Sequence, residues 1–336
     1  MVLVTGATGI LGRVIVLDLL KQGKTVRATK RPTSDLEEVR RSFRFYTEDA
    51  DVWFNQILWQ NVDFDDSDSI ASALDRVTEV FHCAGKVSFH PDDRRAMYDT
   101  NIRGTRNLLY ACERTDVTKF CFISSTAVLD GVDEQGEVTE DSNYNPKVNH
   151  SPYARSKHFS EMEVWRASAE GLNTVILNPG VIIGSGNWQA SSGALFSSLA
   201  KYPYAMSGST SYADVRDVAK IAIKLMDQNV FGERYIVVSS TEPLLNVANH
   251  VREKLKLSPA RLLPNAALKL GYGANLLFGW LFPQLRMLNK VNMETVTAHH
   301  VVSNAKIRKE LNYEFIPVYE SLDFHLNNYI SDHNLL

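Results

Sequence analysis

Short apolar runs alternate with longer stretches of helical periodicity along the first half of the chain. The runs Met1–Thr5, Thr25–Thr29, Ile57–Val62, Val80–Cys83, Phe120–Ser124 and Thr174–Asn178 have the length and side-chain character of buried strands. Between them, Val14–Gln22, Ser69–Arg76, Asp99–Arg114 and Tyr153–Glu170 carry apolar residues at helical spacing. This alternation predicts an α/β doubly wound parallel sheet with helices on both faces. The segment "DLEEVRRSFRFYTEDADVWFNQ" delays the third strand and predicts one or two extra surface helices.

The rhythm changes after Pro179. Gly, Ser, Tyr and Pro become frequent from Gly180 to Tyr212, which predicts loops around a site. A helix at Val215–Gln228 and a strand at Tyr235–Ser239 return to the sheet, and the chain from Glu242 onward reads as mainly helical. The most membrane-like stretch, "GANLLFGWLFP" from Gly273 to Pro283, is far shorter than the ~20 residues of a spanning helix. It is expected to be a buried or lid helix.

Composition narrows the class without deciding it. The 336 residues are 44% hydrophobic and 22% charged, with a formal net charge of −3, so no nucleic-acid or membrane partner is expected. Cys83, Cys112 and Cys121 form no CxxC pair and read as reduced thiols of a cytoplasmic protein. The first strand nearly coincides with the first residue given, so no leader peptide is expected. No metal is expected: His299-His300 has no third ligand at a fitting spacing.

Four stretches carry candidate chemistry. In "TGATGILG" three glycines, Gly6, Gly9 and Gly12, join a strand to a helix. Such a turn lets the backbone approach a pyrophosphate, and the helix N-terminus offers unpaired N–H groups. Arg13 and Val14 follow Gly12 where a P-loop needs Lys and Ser or Thr. In "TKRPTSD" the second strand ends on Lys30 and Arg31 with no acid before Asp35, which suits a ribose 2′-phosphate better than free hydroxyls. NADP is therefore the expected cofactor, with NAD as the alternative. In "SPYARSKHFSE" Tyr153 and Lys157 stand one helical turn apart, so the cation can favour the phenolate. In "FCFISSTAVLDG" Ser124, Ser125 and Thr126 fall at the end of the fifth strand, where parallel sheets bind ligands, although such residues also cap turns. No GxSxG nucleophile elbow is present.

Taken with "HCAG" at the fourth strand, "NIRGT" at Asn101 and "LNPGVIIG", the chain resembles the extended short-chain dehydrogenases/reductases over nearly its whole length. Within them it is similar to the NAD-dependent epimerase/dehydratase group. "VRATKRPTSD", "YADVRDVAKIAIKLM" and "SNAKIRKELNYEFIPVYESL" narrow the likeness to the dihydroflavonol reductase and 3β-hydroxysteroid dehydrogenase branch.

The resemblance implies a Rossmann domain at 1–178 with a return segment at 212–240, and a substrate-binding lid region from 179–211 and 241–330. It implies Tyr153 as acid/base, Lys157 as its activator and Ser125 as the catalytic hydroxyl, with Ser124 or Thr126 as fallback. Gly6, Thr8, Gly9, Ile10, Leu11 and Gly12 are implied around the pyrophosphate, with Lys30 and Arg31 at the ribose. Asp63 and Phe64 match the adenine contacts, and Ala84, Gly85, Asn101 and Ser124 further cofactor contacts. Pro179, Gly180 and Val181 match the stretch packing on the nicotinamide.

The expected activity is carbonyl reduction or alcohol oxidation on a small, largely apolar substrate; the alternative is a nucleotide-sugar epimerase with tightly bound NAD(P). A non-catalytic dinucleotide sensor is a third reading, opposed by the presence of both Tyr153 and Lys157. Thr126-Ala127 stands where sugar dehydratases carry Asp-Glu, and Val128-Leu129-Asp130-Gly131 where many epimerases carry Val-Tyr-Gly. A homodimer is expected through Met97–Arg114 and Tyr153–Glu170, with Leu108, Leu109, Met162, Val164 and Trp165 as apolar candidates. Gly184–Tyr212 and Pro264–Asn289 are expected to close over the cleft, bringing Trp188, Tyr202, Tyr204, Tyr272 and Trp280 nearest the substrate.

Overall fold

A computed structural model describes residues 1–189 and 191–334. Seven strands form the central sheet: β1 (Val2–Thr5), β2 (Val26–Lys30), β3 (Leu58–Asn61), β4 (Glu79–His82), β5 (Lys119–Ile123), β6 (Asn173–Pro179) and β7 (Glu233–Val237). All neighbours pair in parallel, in the order β7-β6-β5-β4-β1-β2-β3. The order reverses between β1 and β4. That switch point opens a crevice at the carboxyl ends of the strands.

Both faces of the sheet are covered, which is why β1 and β5 read as continuous apolar runs rather than alternating ones. On one face Ile10–Lys21 and Val215–Asp227 pack Ile15, Leu19, Val218 and Ile221 against Val4 and Phe81. On the other, Ser67–Leu74, Gly104–Cys112 and Pro152–Ala169 bring Ile70, Leu108 and Val164 onto Leu3 and Phe120. Every strand expected from the sequence lies within about two residues of its predicted place.

Three details depart from expectation. The first helix starts at Ile10 rather than Val14, because the glycine turn is tight enough for Gly9 to act as its N-cap. The stretch Tyr98–Arg103 is π-helical before the α-helix Gly104–Cys112 begins. The insert forms two helices, Leu36–Phe43 and Ala50–Phe54, but they are not merely superficial. Val39, Phe43 and Ala50 are buried in the same core as the first helix.

The remaining chain builds a smaller layer beyond β6. Val181–Ile183, Ser209–Asp214 and Ser240–Pro243 form a three-stranded sheet, backed by the helices Leu244–Lys254 and Val318–His333. Trp188, expected near the substrate, lies instead in this layer's own core with Phe196 and Tyr329, its indole N–H donating to Asp332 at 2.6 Å. Tyr202, Tyr204 and Trp280 are more than half exposed.

Of the two expectations for Gly273–Pro283, a buried or a lid helix, burial is corrected. In the helix Asn265–Phe278 only Leu268 is buried, because among the described residues no element covers its outer face. The hairpin that this helix makes with Pro283–Met287 rests on the loop after β4. His90 Nε2 meets the Pro283 carbonyl at 2.9 Å, and Arg286 pairs with Asp92 at 2.6 Å.

Candidate active site

The glycine turn is built by steric necessity. Gly6 has φ +63°, and a side chain there would meet the Ala84 backbone at 2.6 Å. A Cβ on Gly12 would strike the Gly6 carbonyl at 2.3 Å. Both positions let β1, the first helix and the end of β4 converge. Gly9 offers no side-chain cap, so the N–H groups of the first turn stay available to an anion. This bare, close-packed cradle fits a dinucleotide's pyrophosphate; Thr8 and Ile10 are half-buried beside it and Leu11 is buried in the core.

Arg13, which the sequence offered only as a reason to reject a P-loop, braces the cradle from behind. It is 1% exposed, bonds the Thr8 and Gly9 carbonyls, and makes a two-pronged pair with Glu38 at 2.8 and 2.7 Å. Glu38 also accepts the Asn187 N–H at 2.6 Å. The insert and the loop after β6 are thereby tied to the glycine turn.

At the end of β2, Asp35 caps the helix Leu36–Phe43 through the Glu38 N–H at 3.0 Å. No other acid intervenes before it. Lys30 donates to Asn61 Oδ1 at 2.8 Å, whereas Arg31 is exposed. The two basic residues therefore differ in freedom. Asp63 is exposed, and Phe64 packs edge-on to His82, with its carbonyl accepting from Asn107 at 2.8 Å.

The loop after β4 is fixed by a buried relay. His82 is held neutral by burial, its pKa lowered to about 3, and it bridges Thr5 at 2.7 Å and Thr105 at 2.9 Å. Thr5 Oγ1 in turn accepts the Ala84 N–H at 3.2 Å. Asn101, within the π-helical stretch, accepts the Lys86 N–H at 2.7 Å and donates to Ser156 at 2.9 Å. Its amide is engaged within the protein, so it positions the 84–86 loop against the helix Pro152–Ala169. A Cβ on Gly85 would sit 3.5 Å from both Asn101 Oδ1 and Lys157 Nζ.

Tyr153, Lys157 and Ser125 converge at the end of β5. Ser151 caps the helix that carries the first two by accepting the Ala154 N–H, and Pro152 occupies its first position. Lys157 Nζ donates to the Ile123 carbonyl at 2.6 Å and lies 4.7 Å from the centre of the Phe122 ring. Burial lowers its pKa to about 8, opposed by the charge of Glu161. Burial raises the Tyr153 phenol, and the neighbouring Ser125 hydroxyl opposes that rise. Ser125 Oγ also accepts the Ala127 N–H at 3.2 Å.

Ser124 points elsewhere. It is buried and lies toward Glu161, which separates its role from that of Ser125. Glu161 is 1% exposed and one turn beyond Lys157; burial raises its pKa, while the nearby Ser124 hydroxyl and the bond from Asn178 oppose the rise. Asn178 Nδ2 reaches both Glu161 at 2.7 Å and the Ser125 carbonyl at 3.1 Å. This buried support was missed from sequence, although its signal, Glu161 at helical spacing behind Lys157, stands in "SPYARSKHFSE". On the far wall, a Cβ on Gly180 would strike the Ser211 carbonyl at 2.3 Å, so the backbone from Pro179 to Val181 runs close under the small sheet. A separate surface hollow of about 700 Å³, lined by Asp18, Gln22, Asp217 and Lys220, contains none of these groups.

Residues 2–238 match the model of the NAD dependent epimerase/dehydratase family, and the chain belongs to that family. It is an NAD(P)-dependent oxidoreductase of the extended short-chain dehydrogenase/reductase type. Sterol demethylase protein B of Methylococcus capsulatus is 29% identical over 283 residues, 79% of this chain and 80% of its own. The bifunctional dihydroflavonol 4-reductase/flavanone 4-reductase of Malus domestica is 25% identical over 268 residues, 75% and 76% of the two chains. In fold, the chain is similar to UDP-glucose 4-epimerase from Thermotoga maritima, with TM-score 0.78, 17% identity and 99% of each chain covered.

Proposed function

We propose that the protein is an NADP-preferring reductase of a largely apolar ketone or aldehyde, and that Tyr153, Lys157 and Ser125 carry the reaction. The observation that supports this most directly is the convergence of the three side chains at one strand end, beside the glycine cradle. A bound reduced nicotinamide supplies the hydride. The protein's part is to hold the carbonyl oxygen and to deliver a proton to it.

Ser125 orients the oxygen by donating to it, and Tyr153 gives its phenolic proton as negative charge develops there. Burial keeps the phenol protonated at rest, which is the state that reduction requires. Lys157, cationic below about pH 8, stabilises the phenolate left behind. Glu161 and Asn178 steady this arrangement from the interior. Gly6, Gly9 and Gly12 would hold the pyrophosphate, and Pro179 to Val181 would back the nicotinamide. A panel of apolar ketones and aldehydes should include a substrate that consumes NADPH stoichiometrically. Turnover of nucleotide sugars without net consumption would favour the epimerase reading instead.

The preference for NADP rests on Arg31, since the Lys30 amine already has Asn61 as partner. Arg31→Ala is expected to weaken NADPH binding about tenfold and NADH binding by less than about twofold, as titrations would show. Equal losses would make the residue ordinary surface.

The reading also includes a homodimer through Gly104–Cys112 and Pro152–Ala169. Leu108, Leu109 and Val164 are occupied by the protein's own core and Trp165 is partly buried there, but Phe159, Met162 and Tyr110 face outward. A twofold contact would cover them. Sedimentation velocity at micromolar concentration should give twice the chain mass; a monomer mass would dispose of this contact.

A further inference from the structure

The tip of the C-terminal hairpin is the largest departure from ordinary surface chemistry in the described residues. Leu276, Leu277, Phe278, Trp280, Leu281 and Phe282 are each 51–75% exposed, and Gly279 alone interrupts them. Leu270, two turns back on the face of Leu277, is 75% exposed. Contiguous apolar area of this kind marks an interaction surface. The tip is firmly mounted. Asn275 donates to the Leu288 carbonyl at 3.3 Å, and Arg286 donates to the Gly279 carbonyl at 2.7 Å while pairing with Asp92.

The charge around the tip points to its occupant. From Lys254 to Met293 the chain has six basic residues and no Asp or Glu; Lys254, Arg286 and Lys290 pair with Asp323, Asp92 and Glu294, whereas Lys256, Arg261 and Lys269 have no ion-pair partner among the described residues. Lys269, Lys290 and Arg261 are exposed. An apolar tip with tryptophan and phenylalanine, set among lysines and arginines, matches the layered chemistry of an anionic lipid surface. The helix of 14 residues is too short to cross a bilayer, and no described helix is long and apolar enough to do so.

We propose that Leu270 and the tip Leu276–Phe282 dock into the interfacial layer of an anionic membrane, with Lys269 and its basic neighbours at the headgroups. The hairpin rests on the 86–93 loop, directly after the Ala84-Gly85 turn, so a docked bilayer lies beside the mouth of the cleft. The docking itself does not depend on which reaction the site performs.

The test is cosedimentation of the full chain with vesicles of phosphatidylcholine alone and with added phosphatidylglycerol, at low and high ionic strength. The protein should pellet with the anionic vesicles, about tenfold less with neutral ones, and less at high salt. The Leu277→Glu/Leu281→Glu variant should lose about tenfold in vesicle binding while keeping its melting temperature and NADPH affinity. Lys269→Glu/Lys290→Glu should weaken only the anionic component, and so provides a second reading if the first variant folds poorly. Wild-type protein left in the supernatant with anionic vesicles would overturn the proposal. So would lipid-free self-association that the apolar variant abolishes, which would assign the tip to a second copy of the chain.

Discussion

Tyr153→Phe is expected to bind NADPH as the wild type does and to lose about 10²–10⁴-fold in turnover. The substitution removes one hydroxyl from a half-buried side chain and leaves the helix Pro152–Ala169 and its Ser151 cap untouched. Lys157 keeps its bond to the Ile123 carbonyl, because that bond does not involve the phenol. What disappears is the proton donor and its contact with Ser125. Pre-steady-state rates at saturating cofactor would separate the chemical step from binding. Near wild-type turnover would eliminate the proposed role of Tyr153.

Arg13→Met is expected to lower stability by about 3 kcal/mol and to weaken NADPH binding. The guanidinium has no exposed surface, and its removal leaves three acceptors short of their donors: the Thr8 and Gly9 carbonyls and the Glu38 carboxylate. Glu38 is about a quarter exposed and retains the Asn187 N–H, which limits the loss. Glu38→Gln should cost less, because the amide still accepts one bond from Arg13. Denaturant unfolding and cofactor titration of both variants would check the ranking. A stable Arg13→Met with normal NADPH affinity would show that the glycine turn holds its shape unaided.

The central sheet was legible because its inner strands are buried on both faces, unlike the edge strand β3, and an amphipathic helix separates successive strands, so local pattern and tertiary position agree. The site was legible where its residues are close in sequence: the glycine turn, and Tyr153 with Lys157. It was obscure where partners are distant. Arg13 and Glu38 are 25 residues apart, and Glu161 meets Asn178 and Ser124 only after β5 and β6 pair. The π-helical stretch at Tyr98–Arg103 has the same apolar spacing as an α-helix, so periodicity could not announce it.

The C-terminal hairpin misled for a related reason. An apolar run reports that burial is favourable, not what covers it. "LLFGWLFP" therefore read as a buried or lid helix, whereas its place at the end of a hairpin leaves it outward. Trp188 shows the converse. It stands in a loop-rich stretch, yet Phe45, Phe196 and Tyr329, far apart in sequence, enclose it.

The central claim is that hydride passes from the cofactor to a substrate carbonyl and stays there. The most direct measurement uses NADPH deuterated at carbon 4 of the nicotinamide, with a carbonyl substrate found in the panel and mass analysis of the product. One deuterium per alcohol formed, with one cofactor oxidised for each, is the predicted result. An isomerised product without deuterium and without net oxidation of the cofactor would contradict it.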